Sequence, residues 1–469
     1  MLSYLNIFKK LKKIKPCTET DLFYKEFQKN RINGKQFALC LAPFRSLRFS
    51  VSGSILACCY NKEFVLGTYP EQTIKEIWQG EKIKKLRTAI LNHDLTLGCK
   101  LCQTNICNQN WSSVSAIEFD RKNYKPGKYP EMMEFELSNK CNLECIMCSG
   151  DLSSAIRSQR EKKKPYLEIY NENFIDQLDQ FIPHLVETSF IGGEPFLIDI
   201  YFKIWEKISQ IHPTLPISIT TNGTILNNKI KEALNKGNFN IRISLESLQK
   251  GRYEQIRKKG NFDTLIKNIT YFQNYCKIKN TYFDFKILPM IQNWDEIPAI
   301  IDYCNKHEIP VKFQTVYFPP KCALWNKNPD ILKQIINTYE NCNISKKGVI
   351  QQNNYNRFYH LLQQIKNYHK NAISQYESLK ELQKKSTNNL KIILEKRIVD
   401  YLNFSTFSEE EKNNIMNFSR QMFIEINDEN ILKTALLNFI ELPVDILVAE
   451  IKVSSLDKLN ERAISAGMA

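Results

Sequence analysis

A chain of 469 residues is longer than one ordinary core and calls for two or three domains. Its 43% hydrophobic and 11% aromatic content excludes a disordered chain, and 14 cysteines at scattered, motif-like spacings suit metal binding in a reducing compartment, the cytoplasm, better than a disulfide scaffold. The net charge of +15 is spread along the chain as solvated lysine, so it permits an acidic partner without selecting nucleic acid, and none is expected.

Residues 1–30 open with Leu2, Leu5, Ile7, Phe8, Leu11 and Ile14 interleaved with lysines, which predicts a basic helical tail. Met1 to Pro16 lacks an apolar segment with a cleavage site, and no stretch approaches the length of a membrane span. Neither secretion nor a membrane span is therefore expected. Residues 31–123 form a second segment. The run Ser46–Ser52 alternates and turns at Ser52-Gly53, predicting a hairpin with Cys40 before it and Cys58-Cys59 after it. A helical stretch, Thr73–Gly80, precedes Cys99-Lys-Leu-Cys102 and Cys107, and a C-x2-C pair is a bidentate metal clip.

Beyond a turn-rich linker, Tyr124–Pro130, strand-like and helix-like runs alternate over residues 131–325. The strands are Met133–Leu137, Thr188–Ile191, Ile217–Thr221, Asn240–Leu245, Tyr282–Met290 and Val311–Tyr317. The helices are Glu172–Phe181, Ile200–Gln210, Asn228–Asn235, Phe262–Lys277 and Trp294–His307. Six β then α units imply a parallel sheet with crossover helices, an α/β fold. Residues 330–469 have helical periodicity throughout. Ser408 with Glu411 reads as a capping box, and the Asn- and Gln-rich stretch 351–355 reads as loop.

The first strand leads into Cys141-Asn-Leu-Glu-Cys145-Ile-Met-Cys148. Three thiolates at this spacing can hold three irons of an iron–sulfur cube and leave the fourth open to the amine and carboxylate of a small molecule. The second strand ends in Gly192-Gly193-Glu194-Pro195, the third in Thr221-Asn222-Gly223 and the fourth in Ser244-Leu-Glu246-Ser247, followed by Tyr253-Glu-Gln-Ile-Arg257. Taken together, these residues resemble the radical S-adenosylmethionine (SAM) superfamily, whose C-x3-C-x2-C and GGEP motifs they match. The resemblance implies a partial (β/α)6 barrel with chemistry at the carboxyl ends of its strands. It implies a [4Fe-4S] cluster on Cys141, Cys145 and Cys148, and SAM contacts from Met147, Gly192, Gly193, Glu194, Asn222, Ser244, Glu246 and Arg257. Within that set Glu194 would accept from the α-amine of SAM, and the Arg257 fork would grip its carboxylate. Glu246 stands where the family usually has Asp, and Met147 where it usually has an aromatic residue on the adenine; Lys286–Met290 is a further adenine-pocket candidate.

The N-terminal pattern C-x12-G-x4-C followed by C-x2-C resembles the SPASM domain and its shortened twitch form, which carry auxiliary iron–sulfur clusters. The thiols suffice for one further cluster, with Cys40, Cys58, Cys99 and Cys102 as ligands and Cys59 and Cys107 as alternates. Its place before the core, instead of after it, departs from the usual family order. Four thiolates in two pairs also suit tetrahedral zinc. Cys322, just after the sixth strand, is a candidate hydrogen-atom donor or extra ligand, whereas Cys276, Cys304 and Cys342 read as small buried apolar residues.

The activity implied is reductive cleavage of SAM to a 5′-deoxyadenosyl radical that abstracts hydrogen from a substrate. A peptide or protein is the preferred substrate, with oxidation of a small molecule such as a nucleotide-sugar as the alternative. A flavodoxin or ferredoxin would supply the electron. A non-catalytic zinc or nucleic-acid-binding protein is the remote alternative, and it leaves the GGEP run unexplained.

Overall fold

A computed structural model describes residues 20–31, 33–107, 111, 114–316, 319, 321–403, 407–442, 444, 447–448 and 451. The tail helix expected within residues 2–15 lies outside them. The chain divides into two compact units, one of residues 14–324 with 335–363, the other of residues 1–13, 325–334 and 364–469. Each is described by itself.

The larger unit is built on one nine-stranded sheet. Its strands are β1 (Ser46–Phe49), β2 (Ser54–Leu56), β3 (Gly67–Thr68), β4 (Met132–Phe135), β5 (Glu187–Phe190), β6 (Ile217–Thr221), β7 (Phe239–Ser244), β8 (Phe283–Ile287) and β9 (Val311–Phe313). They lie in the order β3-β2-β1-β4-β5-β6-β7-β8-β9. The six strands β4–β9 are mutually parallel, as the alternation of apolar runs and helices predicts. β1 and β2 form the expected antiparallel hairpin, turned at Gly53, whose φ of +82° is open to glycine at little cost. The hairpin is not a detached module: β1 pairs in parallel with β4, so the sheet runs straight across the 124–130 linker.

Side chains alternate between the two faces of this sheet. On one face Phe49, Phe135 and Phe190 occupy one register row and stack at 5.3 and 4.7 Å between ring centres. Phe174 and Trp205, from the helices Glu172–Gln177 and Asp199–Ile211, close over that row edge-on. Each such ring taken out of water contributes about 2 kcal/mol. The other face is polar: Arg48, Glu134, Ser189, Ser218 and Asn240 share one row, with Arg242 and Asp284 a pleat further on.

This polar face is concave. β2 and β8 are separated by six inter-strand spacings of about 4.8 Å, which would put them roughly 29 Å apart in a flat sheet. Yet Cys59, just past β2, is close enough to Lys286 of β8 for their charges to interact. The sheet therefore curls into the partial barrel that the sequence implies.

Several boundaries differ from the sequence reading: the sixth strand, expected to run to Tyr317, ends at Phe313, the helix expected to reach Phe181 ends at Gln177, and two further differences have a visible cause. Residues 351–355, expected as loop, lie inside the helix Val349–Gln383. The cause is Asn354, fully buried, whose amide nitrogen donates to the Asn305 side chain (2.9 Å) and the Ile309 carbonyl (3.0 Å) while its oxygen accepts from the amide of Val311 (2.9 Å). An Asn satisfied by a neighbouring segment does not compete with its own helix. Strand β8 also stops at Ile287, short of the expected Met290, where the Asn293 side chain takes over the backbone bonds: it accepts from Met290 N and donates to Leu288 O and Glu246 O.

The smaller unit is helical. Leu390, Leu394, Ile398 and Leu402 form an i, i+4 stripe on the helix Thr387–Asn403, and they share a core with Ile415, Met422, Leu436 and Phe439. The capping box of Ser408 and Glu411 forms as expected and opens the helix Glu409–Gln421.

Candidate active site

The three-cysteine loop leaves the end of β4 and is held by main-chain bonds on both sides. The Glu144 amide donates to Lys258 O (3.0 Å) and the Ile146 amide to Ile256 O (2.9 Å). Ser154 accepts from the Cys141 amide (3.1 Å), and Ser153 donates to Leu143 O (2.7 Å). At its base the fully buried Tyr201 hydroxyl sits between Phe135 O (2.8 Å), Ile191 O (2.7 Å) and the Leu137 amide (3.0 Å), locking the ends of β4 and β5 together. Tyr201 lies on a helix with no motif around it, and the sequence reading missed it.

The glycines of the GGEP run face the cysteine loop. The Gly193 amide donates to Ser138 O (3.1 Å) and the Glu194 amide to Lys140 O (2.8 Å). Gly192 has φ +121°, and a Cβ there would meet Ser138 O at 2.5 Å; one on Gly193 would collide with Lys140 O. The two motifs are thus zipped to each other, so bare main chain is required at both positions.

Glu194 is fully buried. Its carboxylate accepts from the Thr221 hydroxyl (2.7 Å), the Asn222 amide (2.7 Å) and the Phe196 amide (3.2 Å). Burial raises its pKa and these donors oppose the rise. Asn222 in turn donates to the Asn142 side chain (2.9 Å) and accepts from Thr224, while Asn142 donates to Thr224 (3.0 Å). The loop is therefore tied to the end of β6 through Asn142, a residue outside the candidate set.

Ser244 closes β7, half-buried, and Glu246 follows it with no exposure. The sequence reading gives the Arg257 fork to a cofactor carboxylate. The structure instead closes it on Glu246: Nε pairs with one oxygen, and Nη2 reaches the other at 2.9 Å. Two buried opposite charges this close pair with each other. The remaining nitrogen, Nη1, points at Cys145 Sγ at 3.8 Å, so the guanidinium acts directly on a thiol of the loop.

Met147 packs with Ile146 and Leu288 against a small apolar cluster of Ile256, Met290, Val316 and Cys322. Cys322 is wholly buried there, its Sγ 3.8 Å from Ile146 O, in the surroundings of a small apolar residue. Cys276 and Cys304 are buried as expected, and Cys342 is half-buried.

A second thiol group lies in residues 40–102. Cys40, Cys58, Cys99 and Cys102 line one cavity, walled by Leu39, Leu95, Ile106 and Phe119. Cys59 and Cys107 are not among its lining residues. Cys59 is set instead beside Arg48, Glu118 and Lys62. Asn61 organises the cavity rim: its amide donates to Leu97 O (2.8 Å) and Cys99 Sγ (3.5 Å), and a Cβ on Gly98, at φ +77°, would collide with it.

Both thiol groups are chemically suited to iron–sulfur clusters. Burial is the leading cause raising every one of these thiols, to about 12 for Cys40, Cys102 and Cys141, with neighbouring thiols adding to the rise at Cys40, Cys102, Cys141 and Cys148. Cys58, Cys99 and Cys145 are raised as well. Loading a metal must therefore expel protons. Among the described residues, no three Cys, His, Asp or Glu side chains converge on a single ion. Tetrahedral zinc needs four donors within about 2.3 Å of one point, whereas a cubane spreads its thiolates over separate irons. Beside the three-cysteine loop, the buried hydroxyls of Ser149 and Tyr253 have no partner among the described residues, so both remain for a group the chain does not supply.

Comparison with known families agrees with this geometry. Residues 135–304 match the radical SAM superfamily, and residues 40–103 match an iron–sulfur cluster-binding domain, SPASM. The chain carries a radical SAM domain, with a SPASM iron–sulfur cluster-binding domain ahead of it. It is an enzyme that binds SAM and a [4Fe-4S] cluster, and the SPASM domain indicates an auxiliary cluster.

Among curated proteins it is similar to GTP 3′,8-cyclase of Clostridium perfringens strain SM101, 27% identical over 201 residues, covering 40% of this chain and 56% of that one. The enzyme of the same name from Lactiplantibacillus plantarum is 23% identical over 234 residues, covering 48% and 66%. The chain thus spans a little over half the length of the first of these relatives. Solved structures include anSMEcpe with bound AdoMet (18% identity, TM-score 0.35, covering 45% of this chain and 57% of that one) and Streptococcus suis SuiB (18%, 0.34, 56% and 58%). No helix among the described residues is long and apolar enough to cross a membrane.

Proposed function

We propose that this chain generates a substrate radical from SAM and uses it to modify a peptide or protein in the cytoplasm. A [4Fe-4S] cluster held by the three-cysteine loop and reduced by a flavodoxin or ferredoxin would supply the reductive cleavage of SAM that yields the 5′-deoxyadenosyl radical. The observation that carries the reading is the direct zipping of the GGEP turn onto the three-cysteine loop, with Cys141, Cys145 and Cys148 left free as thiols.

In this reading those three cysteines hold the cluster, and Cys40, Cys58, Cys99 and Cys102 hold the auxiliary one. Gly192, Gly193, Glu194, Asn222 and Ser244 hold the methionine end of SAM, Met147 packs on its adenine, and Glu246 fixes Arg257 so that its free Nη1 donates toward Cys145. The Phe135–Phe190 row and Tyr201 keep the strand ends rigid beneath the site, as positioning chemistry requires. A SPASM domain supports the peptide reading, since enzymes that carry one often act on ribosomally made peptides.

A small-molecule substrate is the second reading, favoured by the match to proteins named GTP 3′,8-cyclase. Anaerobic reconstitution with dithionite and SAM, followed by measurement of 5′-deoxyadenosine, tests the chemistry. A rise on adding candidate peptides, in place of nucleotides or nucleotide-sugars, supports the first substrate class, and the reverse supports the second.

A further inference from the structure

The polar face of the curled sheet has its own charge pattern. Arg48 pairs with Glu134 and Glu136, and Arg242 is bidentate on Asp284 at 2.6 and 2.5 Å. In both cases a cation is neutralised by a carboxylate on the same or the neighbouring strand. One pleat toward the carboxyl ends of the strands the pattern breaks. Ser244, Lys286 and Lys312 occupy one register row on β7, β8 and β9, so two lysines stand side by side. Both are half-buried, and among the described residues neither forms an ion pair or hydrogen bond. Asp284, one pleat back on β8, is already taken by Arg242. Like charges directly opposite on adjacent strands repel, and partial withdrawal from water without a counter-charge adds to the cost. Such a pair is kept where something else brings the negative charge.

We infer that Lys286 and Lys312 form a seat for an anionic group of the substrate, a carboxylate or a phosphate, held on the concave face next to Ser244. Two ammonium groups on strands about 4.8 Å apart can each donate to a different oxygen of one such group. The inference rests on the proposed function for its placement beside SAM, and it narrows the substrate to one with an acidic side chain, a free carboxyl end or a phosphate. Burial beside Arg242 and Lys312 lowers Lys286 to about 8, and an arriving anion would reverse that shift.

The test is calorimetric titration of the full-length, cluster-reconstituted chain, saturated with SAM, using inorganic phosphate and acetate as probes. Wild-type protein should bind at least one of them, with the preferred probe naming the group. Lys286→Met and Lys312→Met should each weaken that binding about tenfold or more, as removal of one partner of a buried charged contact does. Lys286→Arg should restore it, and the exposed control Lys236→Met should leave it unchanged. Retention of wild-type affinity in both Met variants, or no binding of either probe by the wild type, overturns the seat. A comparable loss of SAM affinity in the Met variants also overturns it, because the lysines would then be holding the cofactor's own carboxylate. The probes bind without turnover. Protein that makes no 5′-deoxyadenosine yet binds phosphate through Lys286 would sink the functional reading and leave the seat standing.

Discussion

The two thiol groups are built in opposite ways. Cys141, Cys145 and Cys148 come from eight consecutive residues, and polar bonds tie their loop to three strand ends: Gly193 and Glu194 after β5, Asn222 after β6, and the Glu246–Arg257 pair after β7. Cys40, Cys58, Cys99 and Cys102 come from three distant stretches and meet in an apolar-walled cavity, where Asn61 is the main polar organiser. In the proposed reading the first arrangement would present an open iron to a polar ligand, which suits surroundings of donors and acceptors. The second would only enclose a cluster, for which apolar side chains suffice.

That contrast can be broken experimentally. Cys145→Ala should have the largest effect, abolishing 5′-deoxyadenosine formation under dithionite, since the cube loses one of its three protein ligands. Arg257→Lys keeps the charge but loses the fork on Glu246, and it should lower SAM cleavage about 10- to 100-fold with the chain still folded by circular dichroism. At the other site, Cys99→Ala should spare uncoupled SAM cleavage and lose substrate turnover. Equal loss from Cys99→Ala and Cys145→Ala would erase the distinction. Cys58→Ala should reduce the iron count from about eight to about four per chain, whereas Cys59→Ala should leave it near eight. Equal iron loss from both would mean that the adjacent thiols exchange roles.

The smallest effect is on stability. Lys286 has its pKa lowered from 10.5 to about 8 by burial, so the folded chain carries a charge at a cost below about 8 and sheds it more readily than the unfolded chain does. Wild-type stability should therefore rise between pH 8 and 10.5 relative to Lys286→Met, which starts out the more stable of the two. A pH-independent gap in denaturant midpoint between the two proteins would show that Lys286 is solvated.

The sequence was most legible where chemistry and chain neighbourhood coincide. Six alternating strands and helices, the three-cysteine loop, GGEP and the Ser408 cap are all short-range patterns, and each stands as expected. What it could not reveal depends on distant partners. Asn354 turns an expected loop into helix only because Asn305, Ile309 and Val311 meet its side chain. Tyr201, Asn142 and Asn61 carry no motif, and their importance comes from carbonyls and amides far along the chain.

By itself, then, the order of residues determined the reactive loop, the parallel sheet and the supply of thiols, because period and spacing are properties of a few consecutive residues. Tertiary structure alone decided three things: that Cys58 and not its neighbour faces the four-thiol cavity, that Arg257 closes on Glu246, and that Lys286 and Lys312 stand together. Each depends on how far the sheet curls and on which register its strands adopt, and those are settled only when segments remote in sequence pack.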